Sequence, residues 1–251
     1  MKGSLMTTNN KFMLSMATIA ILSGASVALG EELKVDTDKL KLGTTEVTIT
    51  DGVADVKGEA KAVEIKTTIP NKIGASGSEQ EMTQLKVTTT DTVTIGEASQ
   101  SAAVSIGGTA PANGAVSADG YGFDINAKSL TTAGAANPNG TELNVNANSS
   151  ISTTDGATLG ANSTINISND KTLTINGALT TSADTSRVSV NGGSLDLKGD
   201  LTATNGAISL GEDGALNVTG ALTGTAGDIK LDGGTMSVGG ALNQTGTTID
   251  L

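Results

Sequence analysis

Four segments in the C-terminal third of the chain fit one frame: KTLTINGALT (171–180), GSLDLKGDLT (193–202), GALNVTGALT (214–223) and GTMSVGGALN (234–243). The frame is apolar-x-apolar-x-Gly-x-Leu. Its first apolar positions are Leu173, Leu195, Leu216 and Met236, and its glycines, Gly177, Gly199, Gly220 and Gly240, follow them at a constant offset. A second phrase interleaves with the first. Val188-Ser-Val190, Ile208-Ser-Leu210, Ile229-Lys-Leu231 and Ile249-Asp-Leu251 recur at nearly the same interval. Each is an alternating pair that buries one face of a strand.

A period of about 21 residues that holds two or three short strands is too short for a propeller blade and lacks the helical half of a leucine-rich repeat. One coil of a parallel β-helix fits it. In such a coil each strand stacks on its equivalent about 4.8 Å away, so like residues align on like and the inward side chains form continuous ladders. The composition agrees: about 1% of residues are aromatic, while Val, Ile and Leu occur singly or as i, i+2 pairs among Thr, Ser, Asn and Gly. No long helical face can be assembled from such a pattern. The spacing therefore predicts an all-β solenoid, a parallel β-helix with coils of about 20–22 residues. Leu195, Leu216 and Met236 are expected in one internal ladder, and Ile208, Ile229 and Ile249 in another. The recurrent Gly177, Gly199, Gly220 and Gly240 are expected to turn the corners by adopting positive φ.

Upstream the period decays while the alternation persists, in Leu33-Lys-Val35, Leu40-Lys-Leu42, Val47-Thr-Ile49, Val63-Glu-Ile65, Leu85-Lys-Val87, Val93-Thr-Ile95, Val104-Ser-Ile106, Leu143-Asn-Val145 and Ile165-Asn-Ile167. Three regions follow: a leader over 1–30, a divergent β region over 31–130 serving as cap or irregular coils, and regular coils over 131–251. The segment SQSAAVSIGGTAPANGAVSADGYGF (99–123) reads as a long loop or linker, with Tyr121 and Phe123 as plugs for an end of the core.

The leader rests on its own physical pattern. Lys2 and Lys11 precede the apolar run FMLSMATIAIL (12–22), which is followed by the small residues SGASVALG and by Glu31-Glu32. This is the layout of a secretory signal peptide, with cleavage expected after Gly30. The run is too short to span about 30 Å of hydrocarbon as an anchor. Cleavage would remove Lys2 and Lys11 from the 15 basic residues and none of the 26 acids, leaving a net charge of −13. A chain so acidic lacks the basic footprint that nucleic acid requires.

Chemistry is constrained by what is missing. With no His and no Cys, imidazole- or thiol-based nucleophiles and metal sites are excluded, as are disulfides. Carboxylates remain, and β-helix enzymes that cleave polysaccharides need several of them converging beside a Lys or Arg. Here Glu212-Asp213, Asp232, Asp51 and Asp55 stand in Gly-rich, turn-like contexts, and Arg187 is the single Arg. The glycine-rich calcium nonapeptide G-G-x-G-x-D is absent. Sequons at Asn139, Asn162 and Asn217 are expected by chance in so Asn- and Thr-rich a chain. No catalytic, cofactor or metal residue is assigned, and the chain is expected not to be an enzyme.

A leader followed by imperfect coils such as GSLDLKGDLT and GALNVTGALTG, with no Cys and a low pI, resembles the passenger regions of Gram-negative autotransporters and related filamentous-haemagglutinin-like surface adhesins. The resemblance covers the region after the leader and is one of grammar rather than of a signature motif. It implies a right-handed solenoid, export to the cell surface, an outer-membrane translocator barrel as partner, and a host-surface or glycan receptor. Asn137-Pro138-Asn139-Gly140 is similar to a motif of two-partner exoproteins, though its flanks in AANPNGTEL are more polar. The chain departs from the autotransporter pattern in ending at TTIDL, without the aromatic-girdled strands of a barrel. Sequence reasoning therefore expects a fragment or a separately delivered passenger, with an uncapped end open to self-association. A carbohydrate-active β-helix lyase or hydrolase is the alternative.

Overall fold

A computed structural model describes residues 30–97, 99, 102–108, 120–134 and 140–250. The leader up to residue 29, Asn137-Pro138-Asn139 and Leu251 lie outside the described residues. Among the described residues all regular structure is extended, in 29 strands and with no helix. The chain is a parallel β-solenoid, as its period requires.

Three sheets form its sides. The chain passes through Leu179–Thr181 on sheet 1, Arg187–Val190 on sheet 2 and Ser194–Leu197 on sheet 3, and then returns to sheet 1 at Leu201–Ala203, one coil further on. Leu201 lies beside Leu179 and Leu195 beside Leu173, all in parallel register. The strands of the regular coils alternate between buried and outward residues, as in Arg187–Val190 and Ser194–Leu197. The period-2 pattern in the sequence is thus the division between core and solvent.

Both expected ladders are present. On sheet 3, Leu173, Leu195, Leu216 and Met236 are successive partners. On sheet 2 the ladder runs through Ile106, Leu143, Ile165, Val188, Ile208, Ile229 and Ile249. Leu195, Leu216 and Ile229 are fully buried, while Met236 and Ile249 are partly buried at the last described coil. Burial of one such side chain contributes about 1.5–3 kcal/mol.

The reason for the repeat glycines needs correction. Gly177, Gly199, Gly220 and Gly240 occupy the corner between sheets 3 and 1, and none of them has positive φ. They stack on one another. A Cβ on Gly220 would lie 2.7 Å from the carbonyl oxygen of Gly199, and one on Gly240 would lie 2.7 Å from that of Gly220. Glycine is required here because successive backbones approach closely, not because of a left-handed turn. Positive φ occurs at the other corners, for example at Gly206 (87°) and Gly233 (85°), and at Asp213 (59°). Asp and Asn tolerate that region better than other residues with a Cβ.

The decay of the period upstream also has a structural cause. On sheet 1, Val63, Val93, Leu130, Ala157, Leu179, Leu201, Leu222 and Leu242 are successive partners, unevenly spaced in sequence as far as Ala157 and almost evenly spaced from there on. The strands keep their places in the sheets. The added residues fall between strands, as in the hairpin of Lys72–Ile73 with Gln80–Glu81. The expected loop over 99–123 is accordingly part strand: Val104–Ile106 founds sheet 2, with Val104 and Ile106 buried.

Tyr121 and Phe123 do not plug an end of the core. Both are fully buried in its interior, and Phe123 lies on sheet 3 between Leu85 and the strand Ser149–Thr153. Both belong to the longer coils of the N-terminal half. The Tyr121 hydroxyl donates to the Ile69 carbonyl (2.8 Å), and burial pushes its phenol well above its ordinary value. The N-terminal end of the core is covered otherwise. Antiparallel strands Lys39–Leu42 and Ile49–Thr50 pair with Glu31–Asp36 and Val53–Glu59, burying Leu40, Leu42 and Ile49.

Three outcomes are expected in chemical denaturation. Leu195→Ala destabilises by about 2–5 kcal/mol through the cavity it leaves, and Met236→Ala, already partly exposed, by less. Gly199→Ala costs about 1–3 kcal/mol because backbone must move, whereas Gly211→Ala is nearly neutral, since the closest atom its Cβ would meet is the flexible Asn191 side-chain oxygen at 3.2 Å, with backbone no nearer than 3.7 Å. A raised folded pKa means that the stability carried by the Tyr121 phenol is complete below its ordinary value near ~10 and is lost as pH rises beyond it. Because Tyr121 is the single tyrosine, phenolate absorbance should appear only together with unfolding. Tyr121→Phe should cost about 0.5–1.5 kcal/mol at neutral pH and flatten the alkaline loss.

Candidate interaction surfaces

The outward side chains divide the solenoid into unlike faces. Sheet 3 presents the column Asp55, Lys86, Asp124, Ser150, Thr174, Asp196, Asn217 and Ser237. Polar groups within it bridge coils: Ser150 Oγ donates to Asp124 Oδ1 (2.6 Å) and Asn217 Nδ2 to Asp196 Oδ1 (2.8 Å). Sheet 2 presents Glu142, Thr164, Arg187, Ala207, Asp228 and Thr248 in one column. Both faces are charged, as expected of a chain with net charge −11.

Sheet 1 is different. Beyond Glu64, its outward column is Thr94, Thr131, Thr158, Thr180, Thr202, Thr223 and Asn243, one residue from each successive coil. Two residues further on, just past the end of each strand, the later coils add Ser182, Thr204, Thr225 and Thr245, all exposed. The windows TVTIG (92–96), SLTTA (129–133), GATLG (156–160), ALTTS (178–182), DLTAT (200–204), ALTGT (221–225) and ALNQT (241–245) hold one charged residue, Asp200. Its carboxylate lies at the corner, where it accepts from the Ala221 backbone N–H (2.8 Å). Sequence reasoning missed this column. The signal was the residue after each ladder leucine, as in Leu179-Thr180, Leu201-Thr202 and Leu222-Thr223, whereas the repeat frame was drawn on its leucines and glycines.

Amide side chains of sheet 2 hold the described residues that follow its first strand, Val104–Ile106. Asn144 and Asn146, both buried, donate from Nδ2 to the carbonyls of Gly108 (2.8 Å) and Gly107 (3.0 Å). The next coil supports them in turn. Asn166 Nδ2 donates to Asn144 Oδ1 (2.9 Å) and Ser168 Oγ to Asn146 Oδ1 (2.7 Å). Thr68 Oγ1 donates to the Ala103 carbonyl and accepts from the Ser105 N–H, both at 3.2 Å.

The acids considered for catalysis are dispersed. Glu212 and Asp213 are exposed at a corner, with Asp232 on the corner of the following coil, 3.0 Å from Lys230 Nζ. Hydrogen bonding to Asp232 raises the Lys230 pKa. Arg187 is exposed on sheet 2 beside Thr164 and Ala207. Asp51 sits at a turn with φ of 50°. Asp55 alone of these lines a groove of about 490 Å³ at the N-terminal end, together with Glu31, Glu46, Glu59, Lys57 and Lys61. Lysines pair with three of its four acids: Lys61 lies 2.5 Å from Glu31, Lys39 2.6 Å from Glu46, and Lys57 3.4 Å from Asp55. The hydrogen bond to Glu31 raises the Lys61 pKa. Among the described residues no group of three carboxylates is placed to hold a metal ion.

No protein-family model matches this chain, and no curated protein or solved structure is significantly similar to it.

Proposed function

We propose that this chain is a non-catalytic, surface-displayed structural element: a rigid solenoid rod of the autotransporter passenger type. The leader at 1–30 directs its export, and an outer-membrane translocator barrel delivers it to the surface of a Gram-negative cell. A glycan or host-surface receptor is the partner of its outer faces.

One observation carries this reading. The inward ladders run without interruption from coil to coil, while the charged groups on the outside are spread along the rod or neutralised in pairs. Such a body transmits position rather than concentrating reactive groups. A polysaccharide-cleaving site would need an acid held neutral beside an ionised partner, and three of the four carboxylates of the N-terminal groove, Glu31, Glu46 and Asp55, are instead matched to lysines.

Expression in a Gram-negative host together with a translocator barrel, followed by addition of protease to intact cells, tests the placement. The chain is expected to be accessible from outside, and full protection until the envelope is broken would refute it. Incubation of the purified chain with acidic and neutral polysaccharides tests the absence of catalysis. Turnover that Asp55→Asn or Glu59→Gln abolishes would assign an enzyme instead.

A further inference from the structure

We infer that the outer face of sheet 1 binds an ordered water lattice, that of ice. The argument begins with spacing. Thr94, Thr131, Thr158, Thr180, Thr202 and Thr223 succeed one another on adjacent parallel strands, so their hydroxyls and methyls repeat every ~4.8 Å. The second column, Ser182, Thr204, Thr225 and Thr245, stands just past the end of each strand, two residues on from the first and about 6.6 Å away if the chain stays extended at ~3.3 Å per residue. Hydroxyls are thereby set out in two dimensions on a rigid sheet. The oxygens of hexagonal ice repeat at intervals close to both.

The hydroxyls are also available. Among the described residues, none of Thr131, Thr158, Thr180, Thr202 or Thr223 spends its side chain on a hydrogen bond within the chain. In the second column, Ser182 and Thr225 donate to the carbonyls of Leu159 and Thr204 (both 3.1 Å), which fixes their hydroxyls and leaves each oxygen able to accept. The threonine methyls between these oxygens leave neighbouring water few competing partners. Water over the face is therefore ordered by the array itself.

Charge selects the occupant. A growing ice lattice rejects ions, and from Thr92 onward the seven windows of this face hold a single charged residue, at its edge, whereas its N-terminal strands carry Glu32 and Glu64 and the other two faces carry Asp, Glu, Lys and Arg in their outward columns. A neutral crystalline polysaccharide is the nearest competitor. Sugar rings are held chiefly by stacking on aromatic side chains, and the seven windows of this face contain none. The array therefore favours water over sugar. The inference stands apart from export and surface display, because it concerns the purified chain.

The test uses the full chain, fluorescently labelled, with growing ice as the probe. The chain is expected to be taken up into the ice, to facet the crystals and to lower the temperature at which they grow below that at which they melt. Thr202→Tyr suits the extended backbone but lifts the lattice off the face, and should abolish all three effects. Thr180→Val with Thr202→Val keeps the shape, removes two hydroxyls and should weaken them. Asn217→Tyr, on sheet 3, should leave them unchanged, and thermal melts of each variant confirm that it is folded. Exclusion of the folded chain from ice would overturn the inference, as would equal loss in Thr202→Tyr and Asn217→Tyr. Capture by insoluble cellulose or chitin that Thr202→Tyr blocks, without any effect on ice, would reassign the face to a sugar lattice.

Discussion

Everything in this molecule follows from the hydrogen bonding of each strand to its own equivalent one coil away. That pairing fixes the distance between coils at about 4.8 Å and removes any freedom to offset large residues against small ones along a ladder. A position taken by Leu173 must therefore accept Leu195, Leu216 and Met236 in turn. Aliphatic side chains stack at this interval without distorting the coil. The same constraint explains why glycine follows glycine at Gly199, Gly220 and Gly240: where two corners pass within carbonyl contact, every coil meets the same restriction.

How much of this was legible depended on whether coils were of equal length. From Leu173 onward the corners are short, so the repeat in the sequence and the repeat in space coincide, and both the ladders and their members could be named. Before Leu130 the strands still fall into register, as Val63 on Val93 and Leu85 on Phe123 show. Insertions at the corners hide that register, because a period is lost as soon as one turn lengthens while the strands on either side keep their partners. The repeat glycines were recognised but given the wrong cause, since a close approach between coils and a positive φ leave the same trace in a sequence. Tyr121 illustrates a third limit. Its partner, the Ile69 carbonyl, is 52 residues distant, and nothing local to Tyr121 marks it as interior.

The outer faces obey a weaker rule than the core, and are correspondingly more informative. Inward positions are restricted by packing, so an unbroken column of Leu there is expected. Outward positions carry no such restriction, and on sheets 2 and 3 they vary freely between acids, bases, amides and hydroxyls. Against that background, six threonines in succession on sheet 1 are not explained by stacking alone. Threonine suits an extended backbone, but the same preference acts on the other two sheets and produces no such column there. The difference is one of charge and regularity confined to one side of the rod.

A solenoid of this kind also localises the consequences of change. Each coil touches only the coil before and the coil after it, so its stability is a sum of coil and interface contributions rather than of one shared core. The buried amide relay shows how the molecule uses that property. Asn144 and Asn146 tie Gly108 and Gly107 to sheet 2, and Asn166 and Ser168 brace them from the next coil. Gly107 and Gly108 are thus held by two coils while the ladders beneath, Leu143 on Ile165 and Val145 on Ile167, continue undisturbed. Long corners can lengthen or vary at that edge without disturbing the hydroxyl face of sheet 1. The fold can therefore hold a variable edge and a regular face on one core.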